Sequence, residues 1–108
     1  MTVASISPQI LEQEMKVNFQ FEAQLRQIAG VSQTELELES GAGLRAALDR
    51  LTSTGFDELR SRIFDDNGDL QSTILLFVND EAIPTEMAES TTLQENSTVL
   101  VLPPISGG

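Results

Sequence analysis

Side chains able to do chemistry are few in this sequence, and the missing kinds narrow it sharply. There is no cysteine and no histidine. Thiolate and imidazole metal sites are therefore excluded, as are Ser-His and Cys-His nucleophile arrangements. Asp65, Asn67 and Asp69 stand at alternate positions, as in a calcium-binding loop. The glycine required at the sixth place of such a loop is Leu70 here, and the closing glutamate at the twelfth is Leu76. Asn67-Gly68 is a turn signal by itself, so an acidic turn is expected and no metal. Ser40-Gly41-Ala42-Gly43 is also a turn and not a phosphate cradle, because no Gly-Lys-Ser/Thr ending follows it.

What remains is the end of the sequence, Pro103-Pro104-Ile105-Ser106-Gly107-Gly108. The alternating run Thr98–Leu102 reads as a strand that delivers it. Two prolines then forbid helix and further sheet pairing, so the tail must leave the fold. Gly107 and Gly108 carry no Cβ, so such a tip is thin enough for a narrow slot and allows close backbone approach. Its only reactive group is the α-carboxylate of Gly108. Gly-Gly alone also describes an ordinary frayed end. A strand, a Pro-Pro step and a Gly-Gly tip in series look like a presented carboxylate.

The elements that must position this tip can be read in chain order. The 108 residues suffice for one domain, and a hydrophobic content of 40% is enough to fold it. Residues 1–14 are Ser/Gln-rich and broken by Pro8; they read as a flexible N-terminal extension. From Met15 to Phe21, Met15, Val17, Phe19 and Phe21 alternate with Lys16, Asn18 and Gln20, the pattern of a half-buried strand. A short helix over 22–29 stops at Gly30. Residues 33–39 alternate again, with Leu36 and Leu38 inward and Glu35, Glu37 and Glu39 outward. The first two strands should pair antiparallel. Leu44, Ala47, Leu48 and Leu51 form the apolar stripe of a main helix over 44–54. Arg45 and Asp49 are spaced for a surface ion pair of small worth.

A second short helix is expected over 56–64, the one locally basic stretch, with Arg60 and Arg62. Residues 72–78 read as a third strand, apolar enough to be expected in the middle of the sheet. Asn79-Asp80-Glu81 turns into a very short strand, Ala82-Ile83, stopped by Pro84. Residues 86–95 read as a polar loop anchored by Leu93, before the closing strand. One amphipathic helix on a mixed sheet is the economical way to bury these faces, so the fold class is α+β. Residues 15–102 form the domain and residues 103–108 the extended tail.

The formal net charge is −11, from 17 acidic and 6 basic residues. This argues against nucleic acid and against an anionic membrane surface, and favours a basic protein partner. No apolar run reaches the length of a membrane span, and the N-terminus lacks the pattern of a secretory signal. Without cysteine no disulfide can form, which fits the expected cytoplasmic location.

Three stretches carry a resemblance. Phe21-Glu22-Ala23-Gln24-Leu25-Arg26, running to Gly30, is similar to the Phe-x-Ala-x-Leu-Arg segment that follows strand one in the ThiS/MoaD family of ubiquitin-like sulfur carriers. Phe77-Val78-Asn79-Asp80-Glu81 resembles that family's Val-Asn turn. Leu102-Pro103-Pro104-Ile105-Ser106-Gly107-Gly108 resembles its C-terminus, the most specific of the three. The resemblance covers about residues 15–108. It implies the ubiquitin-like β-grasp fold, a mixed sheet wrapped around one main helix, with the first and last strands parallel neighbours. The N-terminal extension is unusual for a minimal carrier. The 56–72 stretch looks like the carriers of cysteine synthesis or the archaeal ubiquitin-like modifiers, and the tail like the small subunit of molybdopterin synthase.

The resemblance also implies the chemistry. An E1-like adenylyltransferase would use ATP and magnesium to adenylate Gly108. A persulfide-bearing sulfur donor would then convert it to a thiocarboxylate. The sulfur would pass to an acceptor synthase, such as the molybdopterin synthase large subunit or a cysteine synthase, or into a thiamine-type pathway. Gly107 would thread the slot, with Pro103, Pro104, Ile105 and Ser106 as the partner-binding tail. The chain itself would hold no cofactor or metal and would be a co-substrate, not an enzyme. The alternative is a ubiquitin-like modifier conjugated to lysines through Gly108.

Overall fold

The computed structural model describes residues 14–103. Its five strands are β1 (Glu14–Phe21), β2 (Gln33–Glu39), β3 (Leu75–Val78), β4 (Glu81–Ile83) and β5 (Thr98–Leu102). Three α-helices, α1 (Ala23–Ala29), α2 (Leu44–Ser53) and α3 (Arg60–Ile63), join 3₁₀ turns at Asp57–Leu59 and Thr85–Met87. The strands form one mixed sheet in the order β2-β1-β5-β3-β4. β1 and β5 are parallel neighbours, and every other pair is antiparallel.

The core lies between one sheet face and α2. Met15, Val17, Phe19 and Phe21 of β1 are buried on that face, as alternation requires, with Leu38, Leu76, Val99 and Val101 beside them. Leu44, Ala47, Leu48 and Leu51 of α2 cover them and are fully buried. The α2 N-terminus has no side-chain cap. Its free amides instead donate to the 86–95 loop: Leu44 N–H to the Thr91 carbonyl at 2.8 Å and Arg45 N–H to the Ala88 carbonyl at 3.3 Å. Gly43 permits this, because a Cβ there would lie 3.4 Å from the carbonyl oxygens of both Glu89 and Thr91. Leu93 is buried and anchors the loop, as its apolar character predicts.

Two expectations need correction. The third strand is only Leu75–Val78, preceded by a turn, and it is not the middle of the sheet. β5 is. An apolar run suggests burial on both faces, but Leu75 points outward at 39% exposure and Phe77 is half-buried. The helix expected over 56–64 is a 3₁₀ turn followed by the single turn of α3. This segment is held by Phe64, whose ring centroid is 4.9 Å from the Arg45 guanidinium and 4.6 Å from that of Arg60. Arg60 also bonds Asp49 Oδ1 and Thr52 Oγ1, each at 3.0 Å. The Arg45–Asp49 pair is present at 3.9 Å but is not the surface pair expected: the Arg45 side chain is mostly covered, and its Nε is buried without a hydrogen-bond partner among the described residues. The Asp65–Asp69 stretch is a turn in which Asp65 Oδ1 accepts from the Asn67 and Asp69 amides.

Candidate functional site: the exit of the C-terminal strand

β5 aims the tail, and its position follows from its neighbours. Val99 and Val101 are fully buried against α2, while Leu100 and Leu102 face the other side and are half-buried. Bonded on both flanks, β5 cannot swing. The β3–β4 hairpin fixes its start. Asn79 and Asp80 both have positive φ, 51° and 73°, the geometry of a type I′ turn that matches strand twist. Asn79 tolerates this conformation and adds a bond, its Oδ1 accepting from the Thr98 amide at 2.9 Å. The Asn79 amide donates in turn to the Thr98 carbonyl at 2.9 Å. The Val78-Asn79 signature is thus the brace that registers β5.

The outer sheet face is divided. On one half, Leu100 pairs across to Phe77 and Leu102 to Leu75, with Ala82 beside Phe77. On the other half, Glu39 pairs with Glu14, Glu37 with Lys16 and Glu35 with Asn18. Alternation along β5 already implies that Leu100 and Leu102 face away from Val99 and Val101. Their union with Leu75 and Phe77 needed the strand order, which periodicity does not supply.

Beyond Leu102 the chain reaches Pro103, half-buried at the edge of a cleft of about 420 Å³. The cleft is also lined by Gln24 and Leu25 of α1, by Ser61 and Arg62 of α3, and by Thr73. α1 ends as expected at Gly30, whose φ of 81° lets its amide bond the Arg26 carbonyl at 2.9 Å. Of the tail residues singled out in the sequence, only Pro103 is among those described. Pro104, Ile105, Ser106, Gly107 and Gly108 lie outside them, as does the extension over residues 1–13. No group of acidic side chains able to hold a metal is found among the described residues. Nor is any helix there long and apolar enough to cross a membrane.

Known proteins share this arrangement. A crystal structure of SAMP1 from Haloferax volcanii is 28% identical, with a TM-score of 0.77, covering 86% of this chain and 99% of that one. A putative molybdopterin converting factor, subunit 1, from Pyrococcus furiosus is 25% identical, with a TM-score of 0.66, covering 84% and 99%. The BexX/CysO complex of Amycolatopsis orientalis contains a chain with the same fold, at 22% identity and a TM-score of 0.69, covering 85% and 99%. A search of curated proteins finds no match. The ThiS family matches residues 19–108, a span that takes in both the braced strand and the Gly-Gly tail. With its ubiquitin-like β-grasp sheet, its Val-Asn hairpin and that match, the chain belongs to the ThiS family of small ubiquitin-like carriers.

Proposed function

We propose that this protein is a sulfur carrier whose working group is the carboxyl of Gly108. The observation that carries the reading is the family match through residue 108, joined to a central strand that leads directly into the tail. A carboxylate is a poor electrophile, so activation comes first. A Gly108 carboxylate oxygen attacks the α-phosphorus of ATP on an E1-like adenylyltransferase, with magnesium neutralising the phosphates, and pyrophosphate leaves. A persulfide sulfur then attacks the acyl carbon and displaces AMP. A thiol cleaves the resulting S–S bond, is itself oxidised to a disulfide, and leaves the thiocarboxylate. An acceptor synthase takes up that sulfur.

In this reading the chain supplies geometry. The half-face formed by Leu75, Phe77, Leu100 and Leu102 docks on the partner, and the two prolines limit the entropy lost when the tail is ordered. The test is intact-protein mass spectrometry after incubation with the activating enzyme, ATP and a sulfur source. The expected result is the mass change of one oxygen-to-sulfur exchange, located at Gly108. An unchanged mass with an enzyme proven active on another carrier overturns the reading.

A second reading is favoured by the SAMP1 likeness, since SAMP1 of Haloferax volcanii is a small archaeal modifier protein. The same acyl-adenylate would then pass to a lysine amine. Lys16 is the chain's sole lysine, exposed on the outer face of β1 and paired across to Glu37, so chains of this protein could grow through one ε-amine only. Affinity capture from native cells separates the two readings. Denaturant-stable conjugates to many proteins through Gly108 would establish the modifier.

A further inference from the structure

The cleft at the root of the tail carries a charge of the wrong sign for its surroundings. In a chain of net charge −11, the one charged side chain among the described residues that lines this cleft is a cation, Arg62. Its neighbour in sequence, Arg60, is engaged with Asp49, Thr52 and the Phe64 ring. Arg45 is engaged with Gly68, Asp49 and the same ring. Arg62 is exposed, and among the described residues it has no carboxylate within ion-pairing distance. Around it stand Gln24, Ser61 and Thr73, which can hydrogen-bond, above the buried side chain of Leu25.

We propose that this cleft receives a carboxylate side chain carried by the partner that grips the tail, and that Arg62 thereby sets the register of the complex. The proposal rests on the reading of Gly108 as the activated group. An acidic protein is drawn to a basic surface, but that attraction is long-ranged and admits many docked poses. A lone guanidinium beside the tail faces such a surface with like charge in every pose except one that places a carboxylate against it. Mismatch is penalised and the correct register is rewarded, which is how specificity is built from repulsion as well as attraction. The guanidinium fork suits a planar carboxylate, bound through two parallel hydrogen bonds. A tail threaded fully extended into the slot would carry Gly108, and the nucleotide with it, ~17 Å from Pro103, away from this guanidinium.

Three variants test this: Arg62→Glu, Arg62→Gln and, as a control with the same charge change on an exposed face of α2, Arg50→Glu. Each is assayed for ATP–pyrophosphate exchange with the E1-like adenylyltransferase of the same cells. The KM for the carrier should rise about tenfold or more for R62E and about threefold for R62Q, with kcat kept, while R50E stays within about twofold of the parent. Steering alone predicts the reverse for R62E, because added negative charge would help it. If R62E tracks R50E, the register role is overturned and the carrier reading stands. If the parent chain supports no exchange, both fall. Should R62E melt at a lower temperature than the parent, R62Q decides, and an unchanged KM for it overturns the proposal.

Discussion

Asn79 shows how one side chain can serve the far end of the molecule. It holds a left-handed backbone conformation that costs most residues roughly 1–2 kcal/mol, and its Oδ1 satisfies the first amide of β5. Asn79→Ala loses both and should lower unfolding free energy by about 1–3 kcal/mol. Asn79→Gly keeps the conformation and loses only the bond, so it should fall nearer the parent. Denaturant titration of the three proteins checks the order; equal stability of the alanine and glycine variants would remove the conformational part of the argument. Asn79 was legible in the sequence as a turn residue, because Asn-Asp before a short apolar pair is turn chemistry. Its bond to Thr98 was not, because nothing local in a sequence says which strand lies beside a hairpin.

At the scale of elements, patterns with strict alternation read correctly and patterns without it did not. β1 buries every second residue, and β2 turns Leu36 and Leu38 inward and its glutamates outward, as their polarity sends them. The α2 stripe is equally clean, and Leu48 at its centre is fully buried. Leu48→Ala should therefore cost about 2–5 kcal/mol, measured as a shift in denaturant midpoint at constant slope. β3 departs from the expected central place because an apolar stretch carries no phase: Leu75 and Phe77 are apolar for an outer face that is only half covered among the described residues. The segment after α2 was read as one helix because Phe56, Leu59, Ile63 and Phe64 sit at helical spacings. The backbone instead breaks into a 3₁₀ turn and a single α turn, and the contacts of Arg45 and Arg60 with the Phe64 ring hold it in place of helical length. Short helices are weak without tertiary support, so long-range contacts decide their shape. The cleft at the tail was illegible for the same reason, since α1 and α3 meet there only in three dimensions.

For the whole molecule, charge is the dominant property, and it is distributed unevenly. Glu14, Glu35, Glu37 and Glu39 occupy the β1–β2 half of the outer face, while the half nearest the tail is apolar. Association with a basic partner should therefore be fast at low salt and slow steeply as salt rises, with dissociation far less affected. Stopped-flow mixing with the activating enzyme across a salt series tests this, and an association rate indifferent to salt would count against an acidic steering face. The edge of β2, unpaired among the described residues, belongs to the same picture. Its three glutamates at alternate positions discourage a second copy from pairing there.

The parallel pairing of β1 with β5 bears on force. Any pull on the chain beyond β5 is transmitted to Leu102. β5 is gripped on both sides, by β1 and by β3, and it lies in the middle of the sheet. The direction of a pull between the start of β1 at Glu14 and the end of β5 at Leu102 lies along both strands. The bonds between them are then loaded in shear, all at once, and cannot be peeled open one after another. The same sheet pulled across its strands would unzip. In the proposed reading, a domain held at the start of β1 while its tip is drawn into a slot would bear that tension in shear and stay folded.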